Sequence, residues 1–443
     1  MADETHVISG INWRATFPFT QIFRSFRIAI HPSKLILALA LLILFYLGGQ
    51  ILDGLWPAKY SFPPGKGTGI FSYLLSMQTD HAESAFRSVL RLDVVGAIGH
   101  VGGFFVEGPY WLFRQHWFFG TLLTAWFLVL WSVFGGAISR IAAVHVARDE
   151  KISVREALKF SISKILSFIF APVIPLLIIA VVGLVVSFGA LLNNIPWIGP
   201  IVMGALFFLA LIAGLIMTLV LIGLLGGFNL MYPTIATEGS DSFDAISRSF
   251  SYLYARPWRL AWYSLVALGY GAVTYFFIKF FIGLTLFLTH SFADLGSFAN
   301  AKPGVELWTS MWPAPSIDPI SGQLTYKPVY SDLNGGERIG AFILAFWNYL
   351  VVGLLGAFAI SFYFSANTII YYLMRQEVDA TELDDVYVEQ ADEDFAETPT
   401  APASAPSLAA STTTASTDTP PAAVAPATDP TPPPAENPNP PSA

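Results

Sequence analysis

Apolar residues in this chain gather into six long runs, near residues 35–52, 117–139, 172–192, 198–228, 260–289 and 340–372. A bilayer core about 30 Å thick takes roughly 20 apolar helical residues to cross. Each run therefore predicts a transmembrane helix, and the longer runs predict tilt or helix continuing past the lipid. The expected fold is an all-α membrane protein: a six-span transmembrane helical bundle with amphipathic interfacial helices and a disordered C-terminal tail. The body covers 35–374, after a segment 1–34 that carries its own amphipathic helix, with outer loops at 53–116 and 290–338. About thirty polar and aromatic residues precede the first run, with no short apolar core and cleavage site, so that span is expected to be retained. A further stretch, 94–113, is apolar but holds His100, Glu107, Pro109 and five glycines. It reads as an interfacial or re-entrant segment, with a seventh span as the competing reading. Asn193, Asn194, Ile195, Pro196 and Trp197 predict a tight hairpin between the third and fourth spans. The loop 290–338 is too irregular to assign strands.

Between the spans a different periodicity recurs. Glu150, Ser153, Glu156, Ala157 and Leu158 are matched 88 residues later by Glu238, Asp241, Asp244, Ala245 and Ile246. In both, a capping side chain precedes an acid by three residues, the capping-box spacing that starts a helix. In the first copy Val154, Leu158, Ile162, Ile165 and Ile169 oppose Arg155, Lys159 and Lys164; in the second Phe243, Ile246, Phe250 and Leu253 oppose Arg248. Each pattern ends near a proline, Pro172 or Pro257, before the next span. A looser copy precedes Pro32, where Ile22, Phe23, Phe26 and Ile30 alternate with Arg24 and Arg27. Such helices suit the membrane interface, with basic residues toward lipid phosphates. Membrane lipids are thus the expected contacts of Lys151, Arg155, Lys159, Lys164 and Arg248.

Charge adds orientation. The net charge of −8 conceals two regions: up to Met374 there are 22 Lys and Arg against 18 Asp and Glu, and from Arg375 onward one against 13. Arg14, Arg24, Arg27 and Lys34, the six basic residues between Arg140 and Lys164, Arg248, Arg256, Arg259 and Arg375 all fall on one side. The positive-inside bias makes that side cytoplasmic, so both termini are expected inside a cell (inner) membrane. Trp56, Trp117 and Trp197 fall at predicted outer ends and Trp13, Trp258 and Trp262 at inner ones, as interfacial rings do.

Candidate chemistry is sparse. By these boundaries no Asp or Glu lies deep in a span, Asp53 sits at an outer end, and Lys279 is the one charge expected within the membrane. Arg140 reads as an inner anchor. Lys279, Asn348 and Asn367 are the candidates for a pathway or for packing between helices, with Asn229 a further cross-helix hydrogen-bonding candidate. Gly223 and Gly227, and the four-residue stripe Gly353, Ala357, Ser361 and Ser365, predict close helix contacts. His81, His100 and His116 lack metal-ligand spacing, and Pro63–Thr68 lacks the spacing of a phosphate loop. No catalytic residue, cofactor, metal or nucleic-acid partner is expected.

The segment 375–398 is acidic with a few apolar residues and suits docking onto Lys151, Arg155 and Lys159 or onto a basic protein partner. Residues 399–443 are Pro/Ala/Thr-rich, holding 13 of the 30 prolines, and are expected to be disordered. Residues 135–143, the kink Ala171–Pro175 and the run Thr368–Arg375 sit within an arrangement that resembles a loose class of uncharacterised bacterial multi-pass membrane proteins, in which short amphipathic helices precede spans. The resemblance covers residues 12 to about 390 and implies no reaction. The leading expectation is a non-enzymatic membrane scaffold or envelope component. The alternative is a permease or channel for a small solute, with its path near Lys279.

Overall fold

The computed structural model describes residues 17–56, 69–314, 316–317, 324–325, 329–382 and 384–387. Trp13, Arg14, the Pro63–Thr68 run and the tail from Val388, including all of 399–443, lie outside the described residues.

The chain is a multi-pass membrane protein built almost wholly of helix. A 3-10 turn, Pro18–Phe23, leads into α1 (Arg24–Ala29), and Pro32 then starts α2 (Pro32–Leu55), the first candidate span. Two further helices follow, α3 (Ile70–Leu90) and α4 (Val94–Leu130), and a π-helical turn joins α4 to α5 (Gly136–Arg148). The interfacial helix α6 (Val154–Ser163) precedes α7 (Ile165–Ala190), and α8 (Ile198–Glu238) returns beside α7. Next come α9 (Ser242–Ala255), α10 (Pro257–Asp294), the short α11 (Leu307–Met311) and α12 (Gly335–Asp379). Helices α2, α4–α5, α7, α8, α10 and α12 are long and apolar enough to cross a membrane. Their outer faces leave Ile201, Leu225, Leu268 and Phe280 more than 65% exposed. Hydrocarbon solvates such a surface; water does not.

Three local features refine the sequence expectation. Residues 94–113 form the first part of a long helix, antiparallel to α3, that runs on into the second span through a kink at His116 (φ −138°, ψ 52°). Helix α3 was hidden in an outer loop because Gln78, Asp80, His81 and Glu83 interrupt its apolar pattern. Its first turn is capped from outside: Asp53, at the end of α2, accepts the backbone N–H groups of Phe71 and Ser72 at 2.8 and 3.0 Å. The loop after α10 does contain strands, as two small antiparallel pairs, β1 (Asn300–Lys302) with β2 (Val305–Glu306) and β3 (Ser316–Ile317) with β4 (Leu324–Thr325). The predicted hairpin Asn193–Trp197 is tight, with Trp197 at φ 68° immediately before α8.

The N-caps read from the sequence form in both repeated units. Ser153 accepts the Glu156 N–H at 3.2 Å, and Asp241 accepts that of Asp244 at 2.9 Å. The two-way capping box is made at Asn334 and Glu337, where α12 starts. Both interfacial helices bury the same small pair, Ala157 and Ser161 in α6 and Ala245 and Ser249 in α9, all 0% exposed. The predicted close contacts are internal. Gly223 and Gly227 lie under Phe250 of α9, where a Cβ on Gly223 would meet the ring at 2.6 Å. The stripe on α12 faces α1 and α2: Ser361 donates to the Ala29 carbonyl at 2.7 Å, and Gly353 abuts Leu39.

Candidate functional site

The described polar side chains concentrate at one end of the bundle, where α5, α8 and α12 stop and α6 and α9 begin. All three helix ends turn through left-handed residues: Asp149, Gly239 and Ala380. Carbonyls at helix ends need donors from outside the helix. Two buried arginines stand here: one donates to a helix-end carbonyl, and both hold the C-terminal segment that crosses the ends. Arg140 of α5, 7% exposed, donates to the Ala236 carbonyl at 2.8 Å and to the Tyr387 carbonyl at 2.7 Å, with its guanidinium 4.5 Å from the Phe160 ring centre. Arg375 of α12, 6% exposed, donates to the Asp385 carbonyl at 2.8 Å and to its carboxylate at 2.5 Å. Its Nε also lies 3.0 Å from Glu238 Oε1, an ion pair without hydrogen-bond alignment.

Around Glu238 the network closes. The Tyr371 hydroxyl donates to Glu238 at 2.8 Å, and Arg248 of α9 lies 3.3 Å from its second oxygen. Arg248 also donates to both Asp244 oxygens at 3.1 Å and sits 4.0 Å from Asp379, which accepts the Tyr252 hydroxyl. Burial opposes the Arg248 charge, yet its hydrogen bond to Asp244 and the Glu238 charge hold its pKa above the ordinary range. Burial, with the Asp379 hydrogen bond and charge, raises the Tyr252 phenol. Both groups thus stay protonated across physiological pH.

The start of the acidic C-terminal segment is part of this site. Residues 384–387 lie across the helix ends, with the Tyr387 N–H on the Thr237 carbonyl at 2.8 Å and Val386 6% exposed in the core. Gly239 is required here twice, for its φ of +65° and because a Cβ would strike the Tyr387 ring at 2.6 Å. Residues 384–387 therefore meet Arg140 and Arg375, while Glu377 and Asp379, earlier in the same acidic segment, reach Arg259 and Arg248. Lys151, Arg155 and Lys159 are exposed, and Lys164 is half-buried at the α6–α7 junction.

A second charged cluster lies where α2 begins. Lys34 is fully buried, its Nζ 3.5 Å from Ser365 Oγ. His31 and His145 stand nearby with ring centres 6.4 Å apart, and Asp149 takes both His145 at 3.4 Å and Arg27 at 3.3 Å. The deeply buried cations are thus Lys34, Arg140 and Arg375, while Lys279 is half-buried with its Nζ 5.9 Å from the Phe86 ring centre. A hydropathy window cannot reveal this, because each of the three looks like a positive-inside residue at a helix end. The available signal was that α5, α8 and α12 all carry charges at one level.

The expected pathway residues do not converge. Asn348 donates to Leu344 of its own helix at 2.9 Å, and Asn367 lies nineteen residues further along α12, about 28 Å away at 1.5 Å per residue. Asn229 accepts the Tyr363 hydroxyl at 2.7 Å. At the far end His81 pairs with Glu107 at 3.1 Å. Among the described residues no group of three or more His, Asp and Glu is placed to hold a metal ion. Compared with known proteins, the chain matches no protein family, no curated protein and no solved structure.

Proposed function

We propose that this multi-pass protein acts as a non-enzymatic scaffold or envelope component of the cell (inner) membrane, with its basic end and both termini cytoplasmic. The observation that supports this reading most is the charged end itself. Arg140, Arg375 and Glu238 tie three helix ends and residues 384–387 into one fixed surface, flanked by the interfacial helices α6 and α9. Polar groups are spent on a rigid face at the membrane boundary, while Asn348 and Asn229 are satisfied within or between helices. Such a face suits holding a partner at the membrane, with the acidic segment 375–398 offered to a basic protein surface.

The test is cross-linking in native membranes, comparing the full chain with one truncated after Val388. Stable partners that disappear on truncation, with membrane insertion unchanged, support the scaffold. Solute flux into proteoliposomes that is lost in Lys279→Ala would overturn it in favour of a permease. Orientation is tested separately: a fluorescent C-terminal fusion that is dark, beside an active periplasmic phosphatase fusion, would reverse it.

A further inference from the structure

The first repeated unit leaves open a groove that the second unit fills. Along α6 a shallow groove of about 760 Å³ is lined by Val154, Arg155, Leu158, Lys159, Ile162 and Ser163. Val154, Leu158 and Ile162 recur every four residues and make an apolar stripe about 12 Å long. Arg155 and Lys159 stand beside it one turn apart, and Ser163 and Glu156 lie beyond them around the helix. The opposite face, Ala157, Phe160 and Ser161, holds α6 to the bundle. Ile162 is 56% exposed, while Val154 and Leu158 are half-buried with their inner sides on the core, so the stripe is open along its outer edge and most open at its C-terminal end.

At the matching places, 88 residues on, α9 carries Ser242, Phe243, Ile246, Ser247, Phe250 and Ser251. Phe250 is pressed onto Gly223, and no cation remains. The open stripe with paired cations is therefore a property of α6, not of interfacial helices in this protein generally.

We propose that this groove binds one anionic phospholipid, its phosphate held between Arg155 and Lys159 and an acyl chain lying along Val154, Leu158 and Ile162. Charge complementarity selects the occupant: two exposed cations border an apolar strip at the end of a membrane span, with Lys151 and Lys164 adding positive field at either end of the helix. Glu156, the only carboxylate on α6, sits on the side of the cations away from the stripe, in the first turn, where its backbone N–H donates to the Ser153 cap. This inference does not rest on the scaffold reading, and losing either leaves the other standing.

Because the chain has no cysteine, Ser163→Cys accepts a single bimane probe. The labelled full-length protein is placed in phosphatidylcholine nanodiscs that contain a small fraction of either brominated phosphatidylglycerol or brominated phosphatidylcholine. The expected result is a roughly thirtyfold preference for phosphatidylglycerol in quenching, the size set by two basic residues at an anionic surface. Arg155→Gln with Lys159→Gln should abolish the preference, whereas the charge-keeping pair Arg155→Lys with Lys159→Arg should retain it. A probe at Ser251→Cys on α9 should show none. Equal quenching by both lipids at residue 163, a preference that survives the double glutamine substitution, or an equal preference at residue 251 would each overturn the site.

Discussion

Helices α6 and α9 start from the same local signal and finish in different surroundings. Each is N-capped by a short polar side chain, buries an Ala–Ser pair and leads into a span, so the seat on the preceding helix is common to both. The difference lies one face away. Helix α9 presses Phe250 and Leu253 onto Gly223 and Gly226 and commits Arg248 to Glu238 and Asp244. On α6, Phe160 lies under the Arg140 guanidinium, while Arg155 and Lys159 stay exposed. One copy is thus locked to the charged end, and the other keeps an exposed face. A duplicated helix start can therefore serve two ends, depending on what the second face meets.

The largest expected effect comes from removing that lock. Arg375→Met would take the buried guanidinium from Asp385 and from Glu238, which keeps only Tyr371 and Arg248. Breaking a buried pair by losing one member costs about 3–5 kcal/mol, and the partners that remain put the expected loss at the lower end of that range. Hydrogen exchange should rise across 384–387 and α9 while α6 keeps its protection. Equal loosening of both helices would break the contrast.

Next in size is the seat. Gly223→Val places a methyl-bearing carbon where the Phe250 ring now lies, and overpacking of this kind costs about 1–3 kcal/mol. The expected outcome is a lower unfolding temperature, followed by tryptophan fluorescence, with increased exchange confined to α9. A variant as stable as the parent would mean that Phe250 has room to swing aside. Smaller still are the caps. Ser153→Ala and Asp241→Ala should each cost about 1 kcal/mol, and near-equal losses would show that the common element of the two units is their N-terminus. A much larger loss at Asp241 would tie its cap to the charged network.

The features legible in the sequence were those that depend on a local pattern. All six spans, both caps and the hairpin at Asn193–Trp197 follow from periodicity or from short polar signals. The helices extend past the apolar windows, as α8 does to Glu238 and α12 to Asp379, because at the membrane boundary their polar residues find partners on one another. What was not legible depends on convergence. Arg140 and Arg375 lie 235 residues apart in the chain and converge on residues 384–387 only after the bundle assembles, while Lys34 is buried in a separate cluster against Ser365. The docking of Tyr387 rests on backbone groups of Thr237 and on Arg140, and neither announces a partner in advance.

The smallest expected effect separates the two units by pH. His31 adjoins the first unit, where burial and then the charges of Lys34 and Lys151 hold its imidazole pKa below the ordinary range. The unfolded chain therefore takes up a proton at a higher pH than the folded one. Stability contributed by the neutral ring is complete above the ordinary imidazole pKa and is lost as pH falls through that range toward the depressed folded value. Mild acidification should lower protection in α1 and in residues 150–153, and His31→Gln should flatten that response. Helix α9 should not follow, since burial raises the Tyr252 phenol and Arg248 keeps its charge throughout. Acid loosening of α9 at the same pH, with α1 unchanged, would place the sensitive group at the charged end instead and undo the assignment to His31.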